Sequence, residues 1–215
     1  TMTVRVRAID DSANIGTVLA TRSYPLSGTS SLFGDRTPKV PAANDGSGVT
    51  VGVKFTPTNS GNVTGIRFYK GAGNTGTHVG TLWTAGGQQL RTGTFSNETA
   101  SGWQTLTFSS PVQVLAGNTY VASYYAPVGR YSADDRFFSS LDWKSGALTA
   151  PRGPGNNGNG IFRAGNGFPV ERSSTDANYY VDVMFVDGGT GSAPTVLVNS
   201  PEAGETGVDL DVDPT

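Results

Sequence analysis

The chain has 215 residues, a net charge of −2 at pH 7 and a sequence pI of about 5.3. This charge offers no basic field for phosphate groups, so nucleic acid is excluded as a partner. Cysteine is absent, which excludes disulfides and thiolate metal sites. No apolar run reaches the roughly 18 residues of a membrane helix, so we expect no membrane insertion. With 30 glycines and 12 prolines, the composition favours short strands joined by turns.

The first strand-like segment is TVRVRA at residues 3–8, which alternates apolar residues with arginine. Because an edge strand is an unusual beginning for a chain, we assign residues 1–21 to a preceding module. They would be the C-terminal strand and linker of that preceding domain.

The centre of the chain alternates apolar and polar residues in one segment after another. This period of two is typical of strands with one buried and one exposed face. The clearest examples are VTVGVKF at 49–55, VTGIRFY at 63–69, WQTLTF at 103–108 and YYVDVMF at 179–185. Turn-rich clusters such as TNSGN and LAGN separate them. The pattern predicts an all-β antiparallel β-sandwich over residues 22–188, with a jelly roll as the preferred topology and very little helix.

Asp45 and Asp182 are candidate metal ligands. Many jelly-roll carbohydrate-binding modules tie the start of the sandwich to its last strand with calcium, which takes carboxylate and carbonyl oxygens. Asp45 lies in the early AANDGSG segment and Asp182 in the last strand-like segment. We therefore expect these two acids to be calcium ligands. The alternatives are an Asx turn for Asp45 and a hydrogen bond to a loop for Asp182.

His78 is the single histidine of the chain. No G-x-S-x-G motif accompanies it, so a serine hydrolase is not supported. Because the residue follows a GNTG turn, we expect its ring to hydrogen-bond loop carbonyls.

Residues 129–178 interrupt the alternating pattern with a long, Gly-rich stretch, which we interpret as a large ordered loop region crossing one face of the sandwich. Tyr131 and Trp143 lie in it, with Asp134, Asp135 and Arg136 between them. Sugar rings pack on aromatic side chains while Asp and Arg bond the hydroxyls, so these five residues are candidate carbohydrate ligands. The alternative is that the aromatic rings are buried plugs under the loops.

Several strings in order resemble the bacterial family called domain of unknown function 4082. They are SLFGD, GVKFTPTNSGNVTGIRFYKGAGNTGTHVGTLW, ETASGWQTLTF, PVQVLAGNTYVASYYAPVGRY and NYYVDVMF, and the likeness covers Ser31 to Asp187. The resemblance implies a secreted or cell-surface setting beside carbohydrate-active or adhesive modules. The flanks are similar to the immunoglobulin-like repeats that accompany this domain. Residues 189–215 are accordingly assigned to a linker and the first strand of a following immunoglobulin-like module.

From these observations we expect a monomeric, non-catalytic carbohydrate-binding module of an extracellular multidomain bacterial protein. Its partners would be a polysaccharide or glycan and the neighbouring domains of its own polypeptide. The first alternative is a structural spacer or adhesion module without a ligand. A second alternative is a glycan-active hydrolase, which would need two carboxylates facing each other across a cleft.

Overall fold

The computed structural model describes residues 28–153 and 158–188 in full, together with the backbone of two strands between residues 2 and 24. The described residues form only strands, turns and loops, so the prediction of very little helix is confirmed. Within this part of the chain, no helix is long and apolar enough to cross a membrane.

Two antiparallel sheets pack against each other. The strands of the larger sheet are β5 (Val49–Pro57), β7 (Val79–Thr84), β8 (Gln89–Thr94), β10 (Tyr120–Ala126), β12 (Trp143–Ser145), β13 (Leu148–Ala150), β14 (Ile161–Ala164) and β15 (Glu171–Arg172). Their order is β12–β13–β5–β10–β7–β8, with β14 also paired to β5 and β15 paired to β14. The strands of the smaller sheet are β3 (Thr29–Ser30), β6 (Gly61–Lys70), β9 (Gly102–Val114) and β16 (Val181–Asp187). Their order is β3–β16–β6–β9. The predicted antiparallel sandwich is confirmed, and the jelly-roll topology stays a prediction.

Two further pairs of strands lie outside these sheets. A ribbon joins β4 (Val40–Asn44) to β11 (Arg130–Ala133). A hairpin joins β1 (Met2–Ile9), which contains the predicted strand at 3–8, to β2 (Ile15–Tyr24). The second strand of this hairpin crosses the predicted boundary at residue 22. Assignment of residues 1–21 to a preceding module stays a prediction, and residues 189–215 lie outside the described residues.

The core forms between the inward faces that the alternating pattern predicts. On β5 every second residue from Val49 to Phe55 is at most 3% exposed, and on β16 Val181, Val183 and Phe185 are fully buried. Rings from both sheets meet in the middle, where Phe68 stacks on Tyr124 with their centroids 4.0 Å apart. Each such side chain contributes about 1.5–3 kcal/mol on burial, so these strands hold the sheets together.

On the side of β5 away from β10, the Asn159 side chain fills a gap between two neighbouring strands. Strand β13 pairs with Thr56 and Pro57, while β14 pairs with residues 49–52. Between them the buried Asn159 amide donates to the Lys54 carbonyl (2.8 Å) and accepts from the Lys54 N–H (3.0 Å). The Asn159 side chain thus replaces a strand residue and satisfies the backbone groups of Lys54.

The irregular region at 129–178 is more regular than predicted. It contains β11 to β15, whose lengths of two to four residues are too short for an alternating pattern to be recognised. Part of it crosses the outer face of the larger sheet. There Phe168 contacts Trp83 with ring centroids 5.5 Å apart, and a Cβ added to Gly52 would lie 3.1 Å from Pro169 Cγ.

Candidate functional site

A groove of about 390 Å³ lies where β5 and β14 meet the β4–β11 ribbon. We call it the tyrosine groove and define it by the side chains that shape it: Asp45, Val51, Tyr131, Phe162, Arg172 and Tyr179. The short strands β11, β14 and β15 and the turn before β16 carry four of them. The groove therefore depends on the region that the sequence marks as irregular.

Three aromatic rings form the walls of the tyrosine groove. Tyr131 and Tyr179 meet edge to face, with centroids 5.4 Å apart at 84°. Phe162 meets Tyr179 at 6.5 Å and 76°. Val51, fully buried on β5, lies beside Phe162 in the strand register and adds an apolar floor. The half-buried rings of Tyr131 and Phe162 thus present apolar surface to anything that enters, whereas Tyr179, only 8% exposed, and Val51 support them from behind.

Opposite charges stand on the rim of this apolar surface. The Tyr131 hydroxyl donates to Asp45 Oδ1 at 2.9 Å. Burial raises the pKa of Tyr131 well above its ordinary value, and the neighbouring Asp45 carboxylate raises it further. The phenol therefore stays protonated and holds the acid in place. Arg172 also lines the groove, and its Nη2 lies 2.9 Å from Asp176 Oδ1.

Of the predicted ligand residues, Tyr131 is the one that lines the groove. Asp134 is 6% exposed and accepts from the Tyr180 hydroxyl at 2.8 Å. Asp135 is exposed and accepts from the Thr175 hydroxyl at 2.6 Å. Arg136 is exposed and has a positive φ of 57°. Asp134 is thus a buried carboxylate that is bonded within the protein. Asp135 and Arg136 instead lie beside the turn that follows Arg172.

Residues 35–181 match the family model described as Domain of unknown function (DUF4082). The chain belongs to this family. No curated protein matches the chain.

Trp143 of this DUF4082 domain lies in a second aromatic cluster. Its indole N–H donates to the Leu32 carbonyl at 2.6 Å, and its half-buried ring contacts Phe33 and Phe137. The Arg36 guanidinium lies over the ring, 4.6 Å from its centroid. The surroundings of this ring fit the alternative to a ligand role, in which the aromatic rings are plugs under the loops.

Asp182 of the DUF4082 domain is fully buried on β16, where it joins the start of the sandwich to its last strand. Its carboxylate accepts from the Leu32 N–H (2.6 Å), the Phe33 N–H (3.0 Å) and Arg67 Nη2 (2.8 Å). Burial raises the pKa of Asp182, whereas Arg67 and these amides act in the opposite direction. We call this arrangement the Asp182 clasp.

The two acids predicted to bind calcium have different partners, since Asp45 bonds Tyr131 and Asp182 bonds Arg67. Among the residues that the structure describes, no group of three or more His, Asp or Glu side chains is placed to hold a metal ion. The hydrogen bond to a loop, our alternative for Asp182, is present. A calcium role for Asp45 and Asp182 stays a prediction.

His78 is fully buried, and its expected loop-carbonyl partners are replaced by side chains. Nδ1 lies 2.8 Å from Glu98 Oε1, and Nε2 lies 2.8 Å from the Asn74 side-chain oxygen. Burial lowers the pKa of His78 and outweighs the opposite effect of Glu98. The Asn74 NH₂ group in turn donates to the buried Tyr124 hydroxyl at 3.2 Å, so His78 belongs to a buried polar network.

Sequence reasoning missed Phe162, Arg172 and Tyr179 as groove residues. The alternation of β16 does not extend to Tyr179, because the strand begins at Val181 and the intervening Tyr180 has a positive φ of 51°. The other two lie in β14 and β15, which are only four and two residues long and give no recognisable pattern.

Proposed function

We propose that this DUF4082 domain is a non-catalytic carbohydrate-binding module and that the tyrosine groove is its site. The observation that carries the proposal is the joining of three aromatic walls, an apolar floor and a charged rim in one groove. The C–H faces of a sugar pack against aromatic rings, while its hydroxyls need donors and acceptors at the edge. Asp45 supplies an acceptor and Arg172 supplies donors.

Tyr131 is the centre of the proposed site, since it offers both ring surface and the hydroxyl that orients Asp45. Asp135 has a positioning role in this proposal. Its bond to Thr175 anchors the turn that carries Arg172 on one side and leads to Tyr179 on the other. Arg136, exposed beside the same turn, is available to a ligand that extends beyond the groove.

The proposed setting is extracellular, with the module attached to other domains of a longer bacterial polypeptide. Such a module needs no reaction of its own. By holding its neighbours near a glycan, it raises their effective concentration there.

A spacer without a ligand is the second candidate, and the packing of Trp143 favours it. If the aromatic residues of the irregular region serve only to close the sandwich, Trp143→Ala will lower stability, and no glycan will bind to the rings of the tyrosine groove. The hydrolase alternative is not supported by the groove, whose lining contributes one carboxylate, Asp45, where glycosidases use two.

Two phenylalanines provide a matched test. Phe162 and Phe168 are both half-buried and six positions apart, but Phe162 lines the groove whereas Phe168 covers Trp83 on the outer face of the sheet. Retention on immobilised polysaccharides, with and without a chelator, identifies a bound glycan and tests the calcium prediction. Phe162→Ala should then weaken glycan binding by roughly tenfold, because a stacked aromatic contributes about 1 kcal/mol or more.

Phe168→Ala should leave glycan affinity unchanged while lowering stability to a similar extent. Melting curves of both variants separate lost binding from lost folding. Equal losses of affinity in the two variants would argue against the groove, and failure of the unmodified domain to bind any polysaccharide would favour the spacer.

A further inference from the structure

All the tryptophan side chains of the chain lie in its described part, and the indole N–H of each donates a hydrogen bond within the protein. The indole N–H of Trp103 donates to the Arg36 carbonyl at 3.0 Å, and the Arg67 guanidinium lies 4.3 Å from its ring. The Trp143 N–H is likewise donated internally, and Arg36 covers its ring. A sugar could stack on the covered faces only by displacing a guanidinium.

Trp83 is engaged in a different way. Its N–H donates to the Ser123 hydroxyl at 2.8 Å, and Phe168 packs against its ring. The large apolar side chains that are exposed within residues 28–153 and 158–188 are all aliphatic: Val40, Leu115, Val128, Leu141 and Val170. This part of the molecule therefore lacks the row of exposed aromatic rings that a flat, ordered polymer surface needs for stacking.

The aromatic surface open to a ligand is concave and small. The tyrosine groove has a volume of about 390 Å³, near the lower end of the roughly 300–1,000 Å³ range of small-molecule sites. Tyr131 and Tyr179 meet at 84°, so their rings cannot form one flat platform. Tyr179 is only 8% exposed, so the aromatic surface that a ligand meets comes from the half-buried rings of Tyr131 and Phe162.

We infer that the groove binds one or two sugar rings of a soluble, single glycan chain and does not bind the face of a crystalline polysaccharide. This inference rests on the proposed function and adds the physical form of the ligand. The apolar surface of Tyr131 and Phe162 accepts the C–H face of one ring. Asp45 and Arg172, on the rim, are placed for the hydroxyls of that ring and of its neighbour.

Soluble oligosaccharides of increasing length test the inference. The probes are gluco-, N-acetylgluco-, xylo- and manno-oligosaccharides from the monosaccharide to the hexasaccharide, titrated calorimetrically into the unmodified domain. Sedimentation with microcrystalline cellulose and with crystalline chitin provides the flat surfaces. We expect affinity in the preferred series to rise up to the disaccharide and then to level off, with no retention on either crystalline polymer.

The Phe162→Ala variant should lose affinity for the disaccharide, and Phe168→Ala should retain it. Affinity that continues to rise to the hexasaccharide, or retention on a crystalline polymer that a disaccharide cannot compete away, would overturn the inference and leave the proposed function standing. Absence of binding to every soluble and crystalline probe would overturn both.

Discussion

Replacing Asp182 by asparagine should destabilise the domain strongly although the two side chains have nearly the same shape. Asp182 is fully buried, and the Arg67 side chain with which it pairs is only 14% exposed. In Asp182→Asn, one oxygen becomes an NH₂ group that faces donors, and the guanidinium loses its counter-charge. Buried groups left without partners in this way carry a large desolvation cost.

The size of the stability loss in Asp182→Asn depends on the contacts that Arg67 keeps. Breaking a buried ion pair from one side costs about 3–5 kcal/mol. Arg67 keeps bonds to the Ser31 hydroxyl and the Gly34 carbonyl and its contact with Trp103. We therefore expect a loss of about 3 kcal/mol in the free energy of unfolding, at the lower end of that range. With a urea dependence of about 2 kcal/mol per M, the midpoint should fall by roughly 1.5 M.

Urea unfolding followed by tryptophan fluorescence measures this loss. Asp187→Asn is the matched control, because Asp187 lies on the same strand but is half-exposed and accepts from the Asn59 amide. It should cost no more than about 1 kcal/mol. If the two variants unfold at the same urea concentration, the Asp182 clasp contributes no more than a surface contact and the reasoning fails.

Three further predictions concern stability. Burial lowers the pKa of His78, so the unfolded state binds a proton more readily than the folded state does. The free energy of unfolding should therefore fall as the pH drops below about 6.5. His78→Gln should flatten that part of a plot of urea midpoint against pH. Asn159→Ala removes the side-chain partner of the Lys54 N–H and carbonyl, so thermal unfolding should show a loss of about 2–4 kcal/mol. No loss would refute the role of Asn159 as a strand substitute. Gly71→Ala places a Cβ against the Pro41 carbonyl and should lower the melting temperature. Gly86→Ala should not, because its Cβ would come no closer than 4.0 Å to the Thr84 hydroxyl.

The regular part of the fold could be predicted from the sequence because burial on one face leaves a period of two. Every second residue of β5 from Val49 to Phe55, and of β16 from Val181 to Phe185, faces inward as that period requires. The same local pattern cannot report which distant residues pair. Asp182 and Arg67 are 115 positions apart, and nothing near either residue announces the other.

The candidate site was harder to predict for a related reason. Tyr131 was identified because it lies among polar residues in the irregular region. The same criterion selected Trp143, which lies in a different cluster. Whether an aromatic ring faces solvent or fills a gap is decided by the elements that pack against it, here Arg36 and the loop at residues 31–34, and these are remote in sequence.

The Asp182 clasp also bears on how the sandwich responds to tension. Strand β3 joins the C-terminal end of β16 through two antiparallel residue pairs, so residues 28 and 188 lie at the same end of that pairing. A force applied at those two points would open the strands like a zipper, loading one pair after another. The next bonds in line are those of Ser31 to the Ser145 hydroxyl and to Arg67, followed by those from the Leu32 and Phe33 amides to Asp182. A fully buried carboxylate held by Arg67 thus resists mechanical unfolding once the short β3 pairing has opened.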